Sequence, residues 1–450
     1  MSVFVREKDF YKLLITISVP IALQNLVDFG LNMMDTVMLG RLGEKVISAS
    51  AIANQPYFIF TVFLFGLASG ASVLTAQYWG KGDTGAISRI LSISMKAAVL
   101  CSLLFGLVVV VFPAQVMGLY TSDMQVIAYG TQFLRIIGYS YILSAISQTY
   151  LYILRSVENV TLPLTLNFIA FVVNIALNWV LIFGKFGIKP MGIRGSATAT
   201  LCARALTLVL TCVYAFCFDK KLQIKLKEFL NIDRVLLGDF IRYSAPVVIN
   251  ETLWALGSSM QSVIVGHISS EAVAANSIAG VLQRLSTVAI IGISNFTAIA
   301  VGKQIGAGNV EKARNYAAAM LRLSVAVGLC SFLLILFLRD PFLALYDVGE
   351  KTQRYTYEIM TVFAFQAFFA CFNYTCVIGV LRGGGDSRFA LLVDVVTMWT
   401  VAIPVGAVAG LILKWPLPVV FVLLTIDEPI KIFIGFSRFK SGKWLRNVTR

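Results

Sequence analysis

The sequence predicts an all-α membrane protein: twelve transmembrane helices in two six-helix lobes related by a parallel internal repeat. Three observations carry this reading. The first is composition. Of 450 residues, 58% are hydrophobic and only 13% charged, with a mean hydropathy of +0.82, where a soluble domain has about a quarter charged. The second is the spacing of apolar stretches long enough to cross a bilayer as helices, at 13–39, 50–76, 88–113, 125–153, 162–184, 194–218, 236–266, 275–302, 313–338, 354–381, 388–413 and 416–437. The third is self-similarity. A shift of 226 residues lays Pro20 on Pro246, Gly40 on Gly266, Gly66 on Gly292, Gly80 on Gly306 and Gly82 on Gly308. A shift of 227 lays Leu154-Arg155 on Leu381-Arg382 and Asn167 on Asp394. One offset sustained over so long a stretch marks a duplication.

Each half holds an even number of spans, so both enter the membrane from the same side and the repeat axis runs along the membrane normal. The expected organisation is an N-terminal lobe over 1–218, a basic cytoplasmic linker over 219–235 and a C-terminal lobe over 236–450. Lys and Arg cluster between spans on one side: Lys81, Arg89 and Lys96; Lys220, Lys221, Lys225, Lys227 and Arg234; then Lys431, Arg438, Lys440, Lys443, Arg446 and Arg450. The positive-inside rule then puts both termini in the cytoplasm. It also accounts for the net charge of +14 without nucleic acid as a partner. Met1 to Tyr11 is polar and Leu13 to Leu39 is too long for a signal sequence, so no cleaved leader is expected. The seven cysteines lie in apolar segments, with no metal or disulfide spacing.

The first span carries the most telling pattern. Asn25, Asp28, Asn32 and Asp35 fall within one arc of about 80° on a helix. Acids facing hydrocarbon are costly, so this face predicts a water-filled cavity or a neighbouring helix, and a transporter's binding stripe. In the fifth span Asn174 and Asn178 share a face, at a depth close to Asp35. They serve either helix packing or the same cavity. Glu251 sits mid-span in the seventh with no cation near it in sequence, so it is expected to exchange a proton or sodium ion for a cationic substrate. Arg284 in the eighth span is a candidate partner for one of these acids. Asp394, near Arg382 and Arg388, reads as a structural ion pair. Asp427 and Glu428 with Lys431 one turn on read as an intrahelical pair. Trp254 and other aromatics could stack on planar cations, or simply pack against helices.

Chemistry that an enzyme would need is missing. His267 is the one histidine, and Gly80-Lys81-Gly82-Asp83 and Gly383-Gly384-Gly385-Asp386 do not match a phosphate loop. The loops leave no room for a nucleotide-binding domain. Uphill transport would draw on an ion gradient, with no cofactor beyond a sodium ion or proton.

Together these pieces resemble the MATE family, the multidrug and toxic compound extrusion transporters. The resemblance rests on Pro20 and Asp35-Thr36-Val37-Met38-Leu39-Gly40. It continues in Gln77-Tyr78-Trp79-Gly80-Lys81-Gly82, Asn174-Ile175-Ala176-Leu177-Asn178-Trp179, and Gly302-Lys303-Gln304-Ile305-Gly306-Ala307-Gly308. It ends in Leu381-Arg382-Gly383-Gly384-Gly385-Asp386 and Ser441-Gly442-Lys443-Trp444. It implies export of small organic cations or drugs across the bacterial cytoplasmic membrane, in exchange for inward sodium ions or protons, by a monomer embedded in lipid. It makes Asp35 the coupling acid of the first span. It makes Glu251 the cation-site glutamate of the NorM-like branch, with sodium at Glu251 and Asp35. Where that branch carries a tenth-span aspartate, this chain has Cys371, with Asn373 two residues on. Asp28 also lies outside the pattern. The alternatives are a lipid-precursor flippase of the same superfamily and, from another class, a cation channel.

Overall fold

A computed structural model describes residues 8–222, 233–346 and 348–450. The described residues are helical, with no strand among them. Among the described residues nine helices are individually long and apolar enough to cross a membrane: Lys8–Gly40, Glu44–Lys81, Thr84–Val111, Thr161–Phe183, Ile193–Phe218, Ser270–Gly306, Val310–Leu343, Glu350–Arg382 and Ser387–Ile412. They correspond to the first, second, third, fifth, sixth, eighth, ninth, tenth and eleventh predicted spans.

The other three spans are helical but differ in form. The seventh is one helix, Arg234–Ile268, whose polar residues lower its hydropathy. The fourth comes in two pieces, Met124–Ile137 and Ser140–Ser156, parted at Gly138 and Tyr139. The twelfth is also split, into Leu417–Leu424 and Asp427–Ser441. Pro429 has no N–H and is tolerated in the first turn of a helix, so the second piece begins at Asp427 and Glu428. Periodicity alone reads straight through such breaks.

The chain forms two compact units, and they do not coincide with 1–218 and 236–450. One gathers Met1–Ala22, Ala76–Gly82 and Ile249–Arg450; the other gathers Leu23–Thr75 and Asp83–Val248. The changeover falls just after Pro20 in the first span and just after Pro246 in the seventh, two prolines that are repeat equivalents. A proline inside a helix removes one hydrogen bond and crowds the preceding turn, so the two parts of such a helix can serve different neighbours.

Repeat-related glycines shape both exchanges. In the first unit, a Cβ on Gly292 would lie 2.7 Å from the Ser18 carbonyl oxygen, and Phe10 packs edge-on against Phe296. In the second, a Cβ on Gly66 would lie 2.7 Å from Val248 Cα. Residues 66 and 292 are equivalent under the shift, as are 22 and 248.

Ala76–Gly82 joins the C-terminal spans for a similar reason. A Cβ on Gly80 would sit 1.9 Å from the Lys303 carbonyl oxygen, and one on Gly306 would sit 1.8 Å from that of Gln77. The buried Gln77 side chain accepts from Val448 N (2.8 Å) and donates to the Arg446 carbonyl (3.1 Å). Asp386, after the glycine triplet, holds Arg438 (2.7 Å) and Arg446 (3.0 Å). The two glycine-rich motifs thus make helix crossings and a C-terminal latch.

Of the predicted linker 219–235, residues 223–232 lie outside the described residues. Its ends are fixed in the second unit: Tyr150 donates to Asp219 (2.6 Å), and Arg89 pairs with Asp233 (2.9 Å).

Substituting Gly306→Ala should destabilise the chain by about 1–3 kcal/mol or more, because backbone must yield. Gly280 has open space beside it, and Gly280→Ala should be neutral or mildly stabilising. Melting temperatures of the detergent-purified variants check both.

Candidate functional site

In the second unit the first, fifth and sixth spans converge on Asp35. Asn178 Nδ2 donates to Asp35 Oδ1 at 2.5 Å and also to Asn174 Oδ1 at 2.8 Å. Asn174 Nδ2 donates to Thr200 Oγ1 at 3.2 Å. The helical i, i+4 spacing of the asparagines puts both amides on one face, as expected. Both are fully buried, while Asp35 is partly exposed. Among the described residues no cation bonds directly to Asp35. Arg204 lies within electrostatic reach, yet its guanidinium donates to Ser140 Oγ (2.6 Å) and stacks on the Tyr57 ring (3.8 Å).

One buried atom here is unsatisfied: Asn178 Oδ1 has no hydrogen-bond donor. A carboxylate, a spare amide oxygen and a threonine hydroxyl are hard oxygen donors, the set that suits a small hard cation. The residues around Asp35 therefore fit a sodium ion or a proton. Thr200 and Arg204 were not singled out by sequence reasoning. Both belong to the sixth span, where hydropathy offers no marker for a residue that turns toward Asp35.

The rest of the first-span stripe is less uniform. Asn32 Nδ2 donates to the Asp28 backbone carbonyl (2.8 Å), so its amide serves its own helix. Asp28 is exposed, and the charge facing it is Arg155 of the fourth span, which lies over the Tyr152 ring at 4.6 Å. Asn25 is partly exposed.

Glu251 departs from expectation. It is neutralised in space: Arg382 Nη1 donates to Glu251 Oε1 at 2.6 Å, with only 3% of the arginine side chain and 14% of the glutamate accessible. A carboxylate held by a buried guanidinium is a poor fit for a sodium ion. Arg284, the candidate partner, is exposed and makes no ion pair among the described residues. The signal for the true partner was the repeat itself. Leu381-Arg382 aligns with Leu154-Arg155, and in each unit that arginine faces an acid on the leading span.

Asp394 is indeed in an ion pair, but with Lys431 (2.7 Å) and not with Arg382 or Arg388, and it accepts from Asn250 Nδ2 (3.1 Å). Lys431 also holds Asp427 (2.7 Å) as the i, i+4 spacing predicts. Glu428 takes no part in that pair and instead accepts from Asn373 Nδ2 at 2.6 Å. Trp254 is exposed, 37% of its surface being accessible.

Removing one member of a buried ion pair strands the other at a cost of about 3–5 kcal/mol. Glu251→Gln should therefore lower the melting temperature sharply. The double variant Glu251→Gln with Arg382→Gln should recover most of the loss, which a double-mutant cycle in detergent would measure.

Comparison with known proteins follows the same lines. The MatE family model matches residues 20–180 and 246–408, two matches whose starts are one repeat apart. The chain is 22% identical to "Probable multidrug resistance protein NorM" of Thermotoga maritima, over 97% of this chain and 93% of the relative. It is 24% identical to "Probable multidrug resistance protein YoeA" of Bacillus subtilis, over 87% and 85% respectively. The fold superposes on the crystal structure of a mutant of the Vibrio cholerae MATE transporter VcmN with a TM-score of 0.88. That match has 16% identity and covers 98% of each chain. With twelve predicted spans, a duplicated core and the family model matched across both repeats, the chain is a multi-pass membrane transporter belonging to the MatE family.

Proposed function

We propose that this chain exports small organic cations and drugs by antiport, taking sodium ions or protons inward at Asp35. The site around Asp35 supports this reading most directly. A partly exposed carboxylate, held by one amide donor and with no bonded cation among the described residues, can bind either a small cation or a cationic substrate, but gains little from both at once. The unsatisfied Asn178 oxygen and the Thr200 hydroxyl would hold the small ion. Occupancy at Asp35 would remove the negative charge that retains the substrate, and so favour release. Exchange of this kind is a difference in affinity between two states, and it needs an acid whose charge the cargo itself can satisfy.

The names of the relatives, probable multidrug resistance proteins, point to the same cargo. The placement of Lys and Arg supports a topology with both termini inside; residence in the cytoplasmic membrane and a monomeric state complete the proposal.

Asp35→Asn should abolish drug resistance in an efflux-deficient host while leaving expression unchanged. Everted vesicles with sodium and pH gradients imposed separately would identify the coupling ion. Resistance at the wild-type level from Asp35→Asn would remove the acid from the mechanism. Ion flux without substrate would point to a channel instead.

A further inference from the structure

Among the described residues three helices pass from one compact unit to the other: Lys8–Gly40, Gln55–Lys81 and Arg234–Ile268. In the first and third of these the changeover comes just after an interior proline. The second span has no proline there; its one proline, Pro56, lies in the first turn. A helix with nothing to interrupt its ladder stays close to straight, so at this crossing the chain is a stiff rod.

The rod is fastened on both sides of the changeover. Thr75, in the second unit, shares a hydrogen bond with Ser156 of that unit (2.6 Å). Gln77, in the first unit, is fully buried. Its Nε2 donates to the carbonyls of Arg446 (3.1 Å) and Gly383 (3.4 Å), and its Oε1 accepts from Val448 N (2.8 Å). The repeat equivalent of this stretch, 302–308, stays in the same unit as the rest of its span. What the first unit adds to receive Ala76–Gly82 is the segment 442–450.

That segment has no helix or strand and is held by a few contacts. Trp444 is fully buried, stacks on Phe439 with ring centres 5.8 Å apart and donates to the Phe439 carbonyl (3.0 Å). Arg446 N donates to the Gly384 carbonyl (2.9 Å). The glycine triplet is its seat: a Cβ on Gly384 would lie 2.5 Å from the Trp444 ring, and one on Gly385 2.8 Å from Val448. Arg446 also pairs with Asp386, but 47% of the arginine side chain is accessible, so water and salt weaken that pair. A segment without a ladder of its own opens at a lower free energy than the helices around it.

We propose that the segment 442–450 is a releasable clamp on the second span. While it holds Gln77, the end of that helix is fastened to the first unit; once it lets go, the two units are free to move against each other. The prolines give the other two crossings a place to bend, and the clamp gives this one a place to detach. Within the exporter reading, on which this consequence rests, the clamp opens and closes once in each transport cycle.

Hydrogen exchange of the purified full-length chain in detergent is the first readout and needs no transport. Ala76–Gly82 and 443–449 should exchange at one shared rate, above that of the helices around them. Gln77→Ala removes the three hydrogen bonds of that side chain and should raise the shared rate about tenfold or more, in these two stretches and not across the unit. Exchange of both stretches only together with the whole unit, or an even rise over the unit in Gln77→Ala, would mean plain packing and overturn the proposal. The second readout is a reversible lock. Gln77→Cys with Val448→Cys, oxidised in vesicles, should carry ethidium about tenfold more slowly than when reduced, and dithiothreitol should restore the rate. Wild type treated alike is the control for the seven native cysteines. Equal rates from the locked and reduced chains would also overturn the clamp. Should the disulfide not form, the exchange pattern decides alone. Failure of the wild type to move ethidium would strike the exporter reading and leave the exchange result standing.

Discussion

The constraint on which the molecule turns is the matching of buried charge within membrane helices. Hydrocarbon offers no water to stabilise a carboxylate, so each acid must find a cation, a set of donors or a hydrated cavity. Among the described residues this chain uses the first two solutions, and the choice separates its acids. Glu251 and Asp394 are closed by Arg382 and Lys431 at 2.6 and 2.7 Å, which makes them part of the scaffold. Among the described residues Asp35 is held only by the Asn178 amide, which in the proposed antiport leaves its charge available to a cargo. The same side-chain chemistry thus gives a fixed strut in one place and, under the proposed function, an exchangeable site in another.

Packing supports this electrostatic arrangement. The crossings at Gly66, Gly80, Gly292 and Gly306 let backbones approach where a methyl group would collide, as small residues do at membrane helix interfaces. Breaks in the fourth and twelfth spans then place polar residues where an unbroken helix would have buried its own amides. Ser140, at the first break, receives Arg204. Asp427 and Glu428, at the second, begin a helix beside Lys431 and Asn373.

Much of this was legible in the sequence, for identifiable reasons. The spans follow from hydropathy and the duplication from its constant offset. That Asn174 and Asn178 share a face at the depth of Asp35 could be read from their spacing and from two helices that cross the membrane in the same direction; the bond from Asn178 to Asp35 decides between the two roles that spacing left open. Glu251 was misread because its partner lies 131 residues away; nothing local to the seventh span carries that information. Lys431 was read as an intrahelical partner, correctly for Asp427, but its reach to Asp394 depends on how two helices pack. The prediction of two lobes cut at the linker did not anticipate the exchange of segments, because hydropathy records where a helix lies and not which neighbours it keeps.

That exchange bears on what one half of the chain can do alone. Each compact unit borrows the opening stretch of a helix whose remainder belongs to the other, with Pro20 and Pro246 marking the handover. A free six-helix copy of such a design would lack the segment that the other copy supplies to its compact unit. On that division one six-helix half is not a self-sufficient module, and cutting the chain at the linker would part each core from a stretch of helix that it packs.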